Sequence, residues 1–233
     1  TAAVFDHETK SSYSVRIQTD DGSGGTYEEA FTITVTDVNE APVAAGDGYS
    51  VAEGGTLNVS APGLLGNDSD PEDDGLTAVK VTDPAHGTVT VNADGSFSYT
   101  HDGSETSADS FTYKANDGSL DSDPATVSLT VTPENDAPTD IALDSSSVAE
   151  NQPSGTTVGG LSTTDPDAGD SHTYSLVAGT GDDDNASFAI DGGSLVTAAV
   201  FDHETKSSYS VRIETDDGSG GTYEEAFTIT VTD

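Results

Sequence analysis

The acidic residues of this chain gather in short phrases that return along the sequence. Phe5-Asp6-His7-Glu8 comes back as Phe201-Asp202-His203-Glu204, and Val51-Ala52-Glu53-Gly54 is echoed by Val148-Ala149-Glu150-Asn151. Asn67-Asp68-Ser69-Asp70 and Asp165-Pro166-Asp167-Ala168-Gly169-Asp170 each contain a D-x-D step. Two carboxylates at i and i+2 on a loop can face one ion, and they repel each other until a cation neutralises them. Cation capture is therefore the chemistry open to these phrases. Nucleophilic catalysis is not: the chain has no Cys and no G-x-S-x-G elbow.

The elements that must position these carboxylates are strands. Phe31, Ile33 and Val35 alternate with Thr32, Thr34 and Thr36, giving one apolar face and one hydroxylic face. The same period appears in Tyr13, Val15 and Ile17, and in Val127, Leu129 and Val131. Phe97/Tyr99 and Phe111/Tyr113 are further pairs. Turn signals separate the runs: Asp94-Gly95, Asp117-Gly118, Asp191-Gly192 and Asp217-Gly218. No segment sustains a 3.6-residue apolar period. The expected fold is all-β, with tandem Greek-key β-sandwich domains and almost no helix.

An internal repeat sets the organisation. Residues 1–37 recur at 197–233, an offset of 196, with Gln18 replaced by Glu214 as the only change. Two segments ending in Pro read as linkers: Asp37-Val38-Asn39-Glu40-Ala41-Pro42 and Pro133-Glu134-Asn135-Asp136-Ala137-Pro138. They divide the chain into 1–41, 42–137 and 138–233. The last two have the size of a sandwich. The first holds about three strands, too few to close one. The absence of Met and of a basic leader suggests a window from a longer protein.

Six Lys plus Arg against 43 Asp plus Glu give a formal charge of −37. Nucleic acid and anionic membrane surfaces are thereby excluded as partners. No apolar run approaches 18 residues, so no membrane span is expected. The hydrophobic fraction is 32%, so the cores must be thin.

The ordered set of phrases resembles the cadherin repeat. There an acidic loop and a D-x-E from one domain, a D-x-N-D linker and a D-x-D from the next domain bind calcium together. Residues 138–233 look like a complete bacterial cadherin-like domain, and 1–37 like the second half of its twin. Residues 42–137 are similar to the second cadherin-like, or VCBS-type, module that alternates in giant bacterial surface proteins. The phrases behind this are LLGNDSDPEDDGLT (64–77), PAHGTVTVNADGSFSYT (84–100) and DSFTYKANDG (109–118).

The resemblance implies Ca2+ ligands at each joint, and calcium takes six to eight oxygen ligands. The first joint would use Asp6, Glu8, Asp20, Asp37, Asn39 and Glu40, with Asp68 and Asp70 from the next domain. The second would use Glu53, Asp117, Asn135 and Asp136, met by Asp165 and Asp167. Asp202, Glu204, Asp216 and Asp233 would serve a third. Pro133 stands where the first linker has Asp37, and Glu40 where Asp is usual, so the second joint is expected to hold fewer ions. Asp70-x-Glu72-x-Asp74-Gly75 opens like an EF-hand loop, but Val81 occupies the twelfth position where a bidentate Glu is needed.

The implied role is a calcium-stiffened stalk or filament segment of an extracellular adhesin or matrix protein. Its partners would be further copies of the repeat, with strand donation completing residues 1–37. Exposed aromatics such as Tyr27 and Tyr223 leave open an alternative, recognition of surface polysaccharide.

Overall fold

The computed structural model describes residues 4–233; the first three residues of the repeat copy 1–37 lie outside the described residues. The chain forms two compact units, Thr1–Pro133 and Glu134–Asp233.

The first unit opens with β1 (Ser12–Asp20) and β2 (Thr26–Thr34), paired antiparallel from Ser12↔Thr34 to Asp20↔Thr26. Among the described residues these two strands form a sheet of their own. A sandwich follows, built from β3 (Asp47–Ala52), β4 (Thr56–Val59), β5 (Thr77–Thr82), β6 (Gly87–Val91), β7 (Phe97–His101), β8 (Ala108–Asn116) and β9 (Ala125–Thr132). One sheet has the order β3-β9-β8-β5 and the other β4-β7-β6. Alternation decides which side chains fill the space between them. Along β9, Val127, Leu129 and Val131 are buried while Ser128 and Thr130 face outward. Phe97, Tyr99, Phe111 and Tyr113 complete this core.

The second unit contains β10 (Asp140–Leu143), β11 (Ser147–Ala149), β12 (Thr157–Thr164), β13 (Thr173–Leu176), β14 (Phe188–Asp191), β15 (Ser194–Thr197), β16 (Ser208–Asp216) and β17 (Thr222–Thr232). Its sheets have the orders β10-β12-β15-β14 and β11-β17-β16-β13. Val211, Ile213, Ile229 and Val231 of the second sheet meet Ile141, Val158, Phe188 and Leu195 of the first. Among the described residues, helix is confined to two short 3-10 turns, Gly63–Gly66 and Asn185–Ser187. The fold is the all-β sandwich that the alternation predicts.

In both sandwiches an N-terminal strand lies parallel to the last one: β3 beside β9, and β11 beside β17. Each linker therefore enters at one end of its sandwich, and the last strand leaves at the other.

Candidate metal centre

The first linker lies wholly within the first unit. His7 Nδ1 is 3.1 Å from Glu8 Oε1 and 3.6 Å from Asp37 Oδ1. Carboxylate oxygens of Glu8, Glu40 and Glu72 all lie within 4.8 Å of one another. The Glu40 N–H donates to Glu72 Oε2 at 3.3 Å. Asp70 Oδ1 accepts the N–H groups of Glu72 and Asp74 at 3.0 and 3.1 Å, fixing the loop. Asp70 Oδ2 and Glu72 Oε1 are buried with no hydrogen bond. The Glu40 carboxyl beside it, then burial, then the charge of Asp70 push the Glu72 carboxyl up to about 7. Asn39 Nδ2 donates to Asp117 Oδ2 at 2.9 Å. The carboxyl of Asp117 is held below the ordinary range by the Leu120 N–H and then by Asn39.

The start of the second unit repeats this arrangement. Asn135 Nδ2 donates to Asp217 Oδ2 at 3.0 Å, and the Asp136 N–H donates to Asp167 Oδ2 at 2.7 Å. Asp165, Asp170 and Asp217 bring carboxylate oxygens within 4.8 Å. His172 Nε2 lies 2.7 Å from Asp165 Oδ2. At the far end of this unit Glu150, Glu204 and Asp233 converge within the same limit. Asp202 caps the neighbouring turn through Thr205, as Asp6 does through Thr9 in the first copy. Hydrogen bonds from those threonines hold both aspartates below the ordinary value.

Several placements differ from the sequence expectation. Asp20 and Asp216 sit at the far ends of β1 and β16, roughly 27 Å along a nine-residue strand from Asp37 and Asp233. Asp217, the neighbour of Asp216, is the residue that turns toward a linker, and it is the one at the unit's start. Asp117 is beside the first linker rather than the second, because β8 runs antiparallel to β9 and returns to the domain's entry end. Asp68 is engaged internally: its Oδ1 accepts the Ala45 N–H at 2.8 Å, and both its oxygens lie 3.0 Å from the Tyr113 hydroxyl. Glu53 follows β3 at the domain's exit end, its N–H held by the Thr132 carbonyl. Glu72, Glu150, Asp170 and Asp217 complete the clusters and were missing from the expected set. The echo of Glu53 in Glu150 and the third acid of the Asp165 phrase were the available signals.

These donors suit a hard divalent cation. They are carboxylates, with an asparagine amide and backbone carbonyls close by, and they include no thiolate. The unpartnered oxygens of Asp70 and Glu72 are what an ion-binding loop leaves free when no ion is bound. Calcium fits them, with Glu8, Glu40, Asp70 and Glu72 as holders at the first linker. Bound there, it would supply charge neutralisation and a crosslink between the segments that carry them.

The comparisons agree with this architecture. Residues 39–133 match the bacterial cadherin-like domain and residues 144–232 the cadherin domain. Protocadherin-like wing polarity protein stan of Drosophila melanogaster is 31% identical over 242 residues, spanning 94% of this chain and 7% of that protein. Extracellular cadherin domains 3–6 of protocadherin gamma B2 superpose with a TM-score of 0.66 at 19% identity, over 100% of this chain and 60% of that one. Domains 1–4 of protocadherin gamma B7 give 0.65 at 23% identity, over 97% and 59%. This chain thus spans about three-fifths of those structures and a small fraction of the fly protein. Cadherin domains are non-enzymatic modules of adhesion and extracellular proteins, and they generally bind calcium. Among the described residues no helix is long and apolar enough to cross a membrane. The chain belongs to the bacterial cadherin-like repeats, with a bacterial cadherin-like domain at residues 39–133 and a cadherin domain at 144–232 in tandem.

Proposed function

We propose that this chain is a segment of a repetitive extracellular stalk in an adhesin or matrix protein, stiffened by calcium at its linkers. The observation that carries this reading is the meeting of Glu8, Glu40 and Glu72 around the first linker, beside two buried carboxylate oxygens that have no hydrogen bond. Glu8 belongs to the first part of the chain, Glu40 to the linker and Glu72 to the sandwich that follows. A cation shared by them restrains the linker. Without it, like charges repel and the linker is free to bend. The partition into 1–41, 42–137 and 138–233 is part of this reading, each linker opening a new module. Extracellular modules of this kind bind calcium at roughly 10⁻⁴–10⁻³ M, which suits seawater or host fluid.

A surface or secreted location follows from that role, as does self-association through neighbouring repeats. Of the two aromatics behind the glycan alternative, Tyr223 packs against the second core, whereas its repeat twin Tyr27 is 65% exposed. Calorimetric titration of the whole chain with calcium tests the proposal. Saturable binding that weakens in Glu72→Gln and in Asp70→Asn supports it. Binding unchanged by both substitutions would remove the linker from the mechanism.

A further inference from the structure

The acidic loops of the two sandwiches match residue by residue. Asp70 Oδ1 accepts the Glu72 N–H at 3.0 Å, and Asp165 Oδ1 accepts the Asp167 N–H at 2.9 Å. Glu72 and Asp167 in turn each accept the N–H of a linker acid, Glu40 at 3.3 Å and Asp136 at 2.7 Å. Asp70 and Asp165 therefore hold the same place in two domains. Both are withdrawn from solvent: Asp70 is 8% exposed, and the Asp165 side chain 4%.

Their second oxygens differ. Asp70 Oδ2 is buried with no hydrogen bond, whereas Asp165 Oδ2 lies 2.7 Å from His172 Nε2. An ionised carboxylate can only accept, so Nε2 carries the hydrogen and donates it. The sequences of the loops account for the difference. Residues 165–172 run from the end of β12 to the start of β13, and the last of them, His172, reaches back to the first. Residues 71–76, which follow Asp70, contain no His, Lys or Arg.

A carboxylate oxygen taken out of water needs a donor or a cation in exchange. At Asp165 the chain supplies the donor itself, through an imidazole whose side chain is 13% exposed. At Asp70 it supplies none. The bond has a second consequence, because Asp165, Asp170 and Asp217 bring carboxylate oxygens within 4.8 Å of one another. A hydrogen bond that fixes one carboxylate of such a group also fixes its spacing from the other two.

We infer that His172 is a positioning residue: it holds Asp165 and closes the 165–172 loop without a cation, whereas the loop that follows Asp70 depends on one. The two linkers then answer calcium differently. The first gains order in its loop, and the second fills a loop already in place. That difference in response rests on the calcium reading above; the hold of His172 on Asp165 does not.

Hydrogen exchange of the full chain at one neutral pH, read by mass spectrometry, tests both parts. In a chelator, the amides of 167–171 should be protected at least about tenfold more than those of 72–76, after correction for intrinsic rates. His172→Phe should lose that protection while β12 and β13 keep theirs, and about 5 mM calcium should restore it. His172→Gln, whose amide reaches the place of Nε2, should match the parent. His172→Asn is polar but too short to reach Asp165, and it should behave as His172→Phe does; it decides the matter if the Phe variant does not fold. Protection unchanged in His172→Phe and His172→Asn would overturn the assignment. So would equal losses in His172→Gln and His172→Phe, because packing of the ring would then be what matters. Amides of 72–76 that ignore calcium would instead contradict the calcium reading, and the comparison in chelator would still decide the role of His172.

Discussion

Asn135 donates its amide to Asp217 at 3.0 Å, and Asn39 makes the same contact with Asp117 at 2.9 Å. In both sandwiches the linker asparagine is clasped by the aspartate of the turn before the last strand. That turn lies at the entry end because the last strand runs parallel to an N-terminal one. The clasp fixes the start of the domain before any ion is considered. Asn135→Ala should lower the melting temperature of the second unit by a few degrees, with or without calcium. A melt unchanged by the substitution would show that the contact has no stabilising role.

Gly221 tightens the same clasp. A Cβ there would lie 2.2 Å from Asp217 Oδ2 and 2.7 Å from Ala137 Cα, so backbone would have to move. At its twin, Gly25, the near atoms are only those of the Asp21 carboxylate, which can swing away. Gly221→Ala should cost about 1–3 kcal/mol, and Gly25→Ala distinctly less. Chemical denaturation of both variants gives the comparison.

The two copies of the hairpin make a matched pair for measuring burial. Ile213→Ala removes a fully buried side chain and should destabilise the second unit by about 2–5 kcal/mol. Ile17→Ala removes the same atoms from an exposed face and should stay within about 0.5 kcal/mol. Equal effects would mean that the first hairpin is covered in solution.

Asp109 is a carboxylate of the middle sandwich whose contacts should contribute to its acid stability. Burial pushes its carboxyl up, but the Tyr99 hydroxyl and the N–H groups of Ala85, Ser110 and His86 outweigh this and hold it below the ordinary value. A carboxyl lowered by folding stabilises fully above its unfolded value and loses that contribution as pH falls through the folded one. The first unit should therefore lose stability below about pH 4. Asp109→Asn should be less stable near neutrality and show a flatter acid limb. An acid limb identical to that of the parent would assign the loss to other carboxylates.

Much of this was legible in the residues themselves. Strict alternation in Val127, Leu129 and Val131 named the inward face, and Asn-Glu-Ala-Pro and Asn-Asp-Ala-Pro marked the linkers. The ends of strands were harder to read. Asp216 and Asp217 are adjacent and chemically identical, yet one ends a strand while the other accepts three turn N–H groups and the Asn135 amide. Which end of a sandwich Asp117 occupies depends on the direction of β8, a tertiary fact that local spacing does not carry. Asp68 looked like a ligand because its phrase repeats a ligand motif. Its oxygens are instead occupied by Tyr113 and Ala45, a demand created by the core. Glu72 lies in a phrase with the opening spacing of an EF-hand loop, and that spacing does not carry its contact with the Glu40 N–H of the linker.

The central claim is that calcium at the linker carboxylates restrains these repeats. The most direct measurement is a thermal melt of the whole chain in a chelator and in about 5 mM calcium, with equal magnesium as the control for ionic strength. Magnesium demands a smaller octahedral shell and dehydrates reluctantly, so it should not substitute. The melting temperature should rise strongly in calcium alone, and the rise should shrink in Glu72→Gln. Equal melts in calcium and magnesium would contradict it and leave the acids as solvated surface.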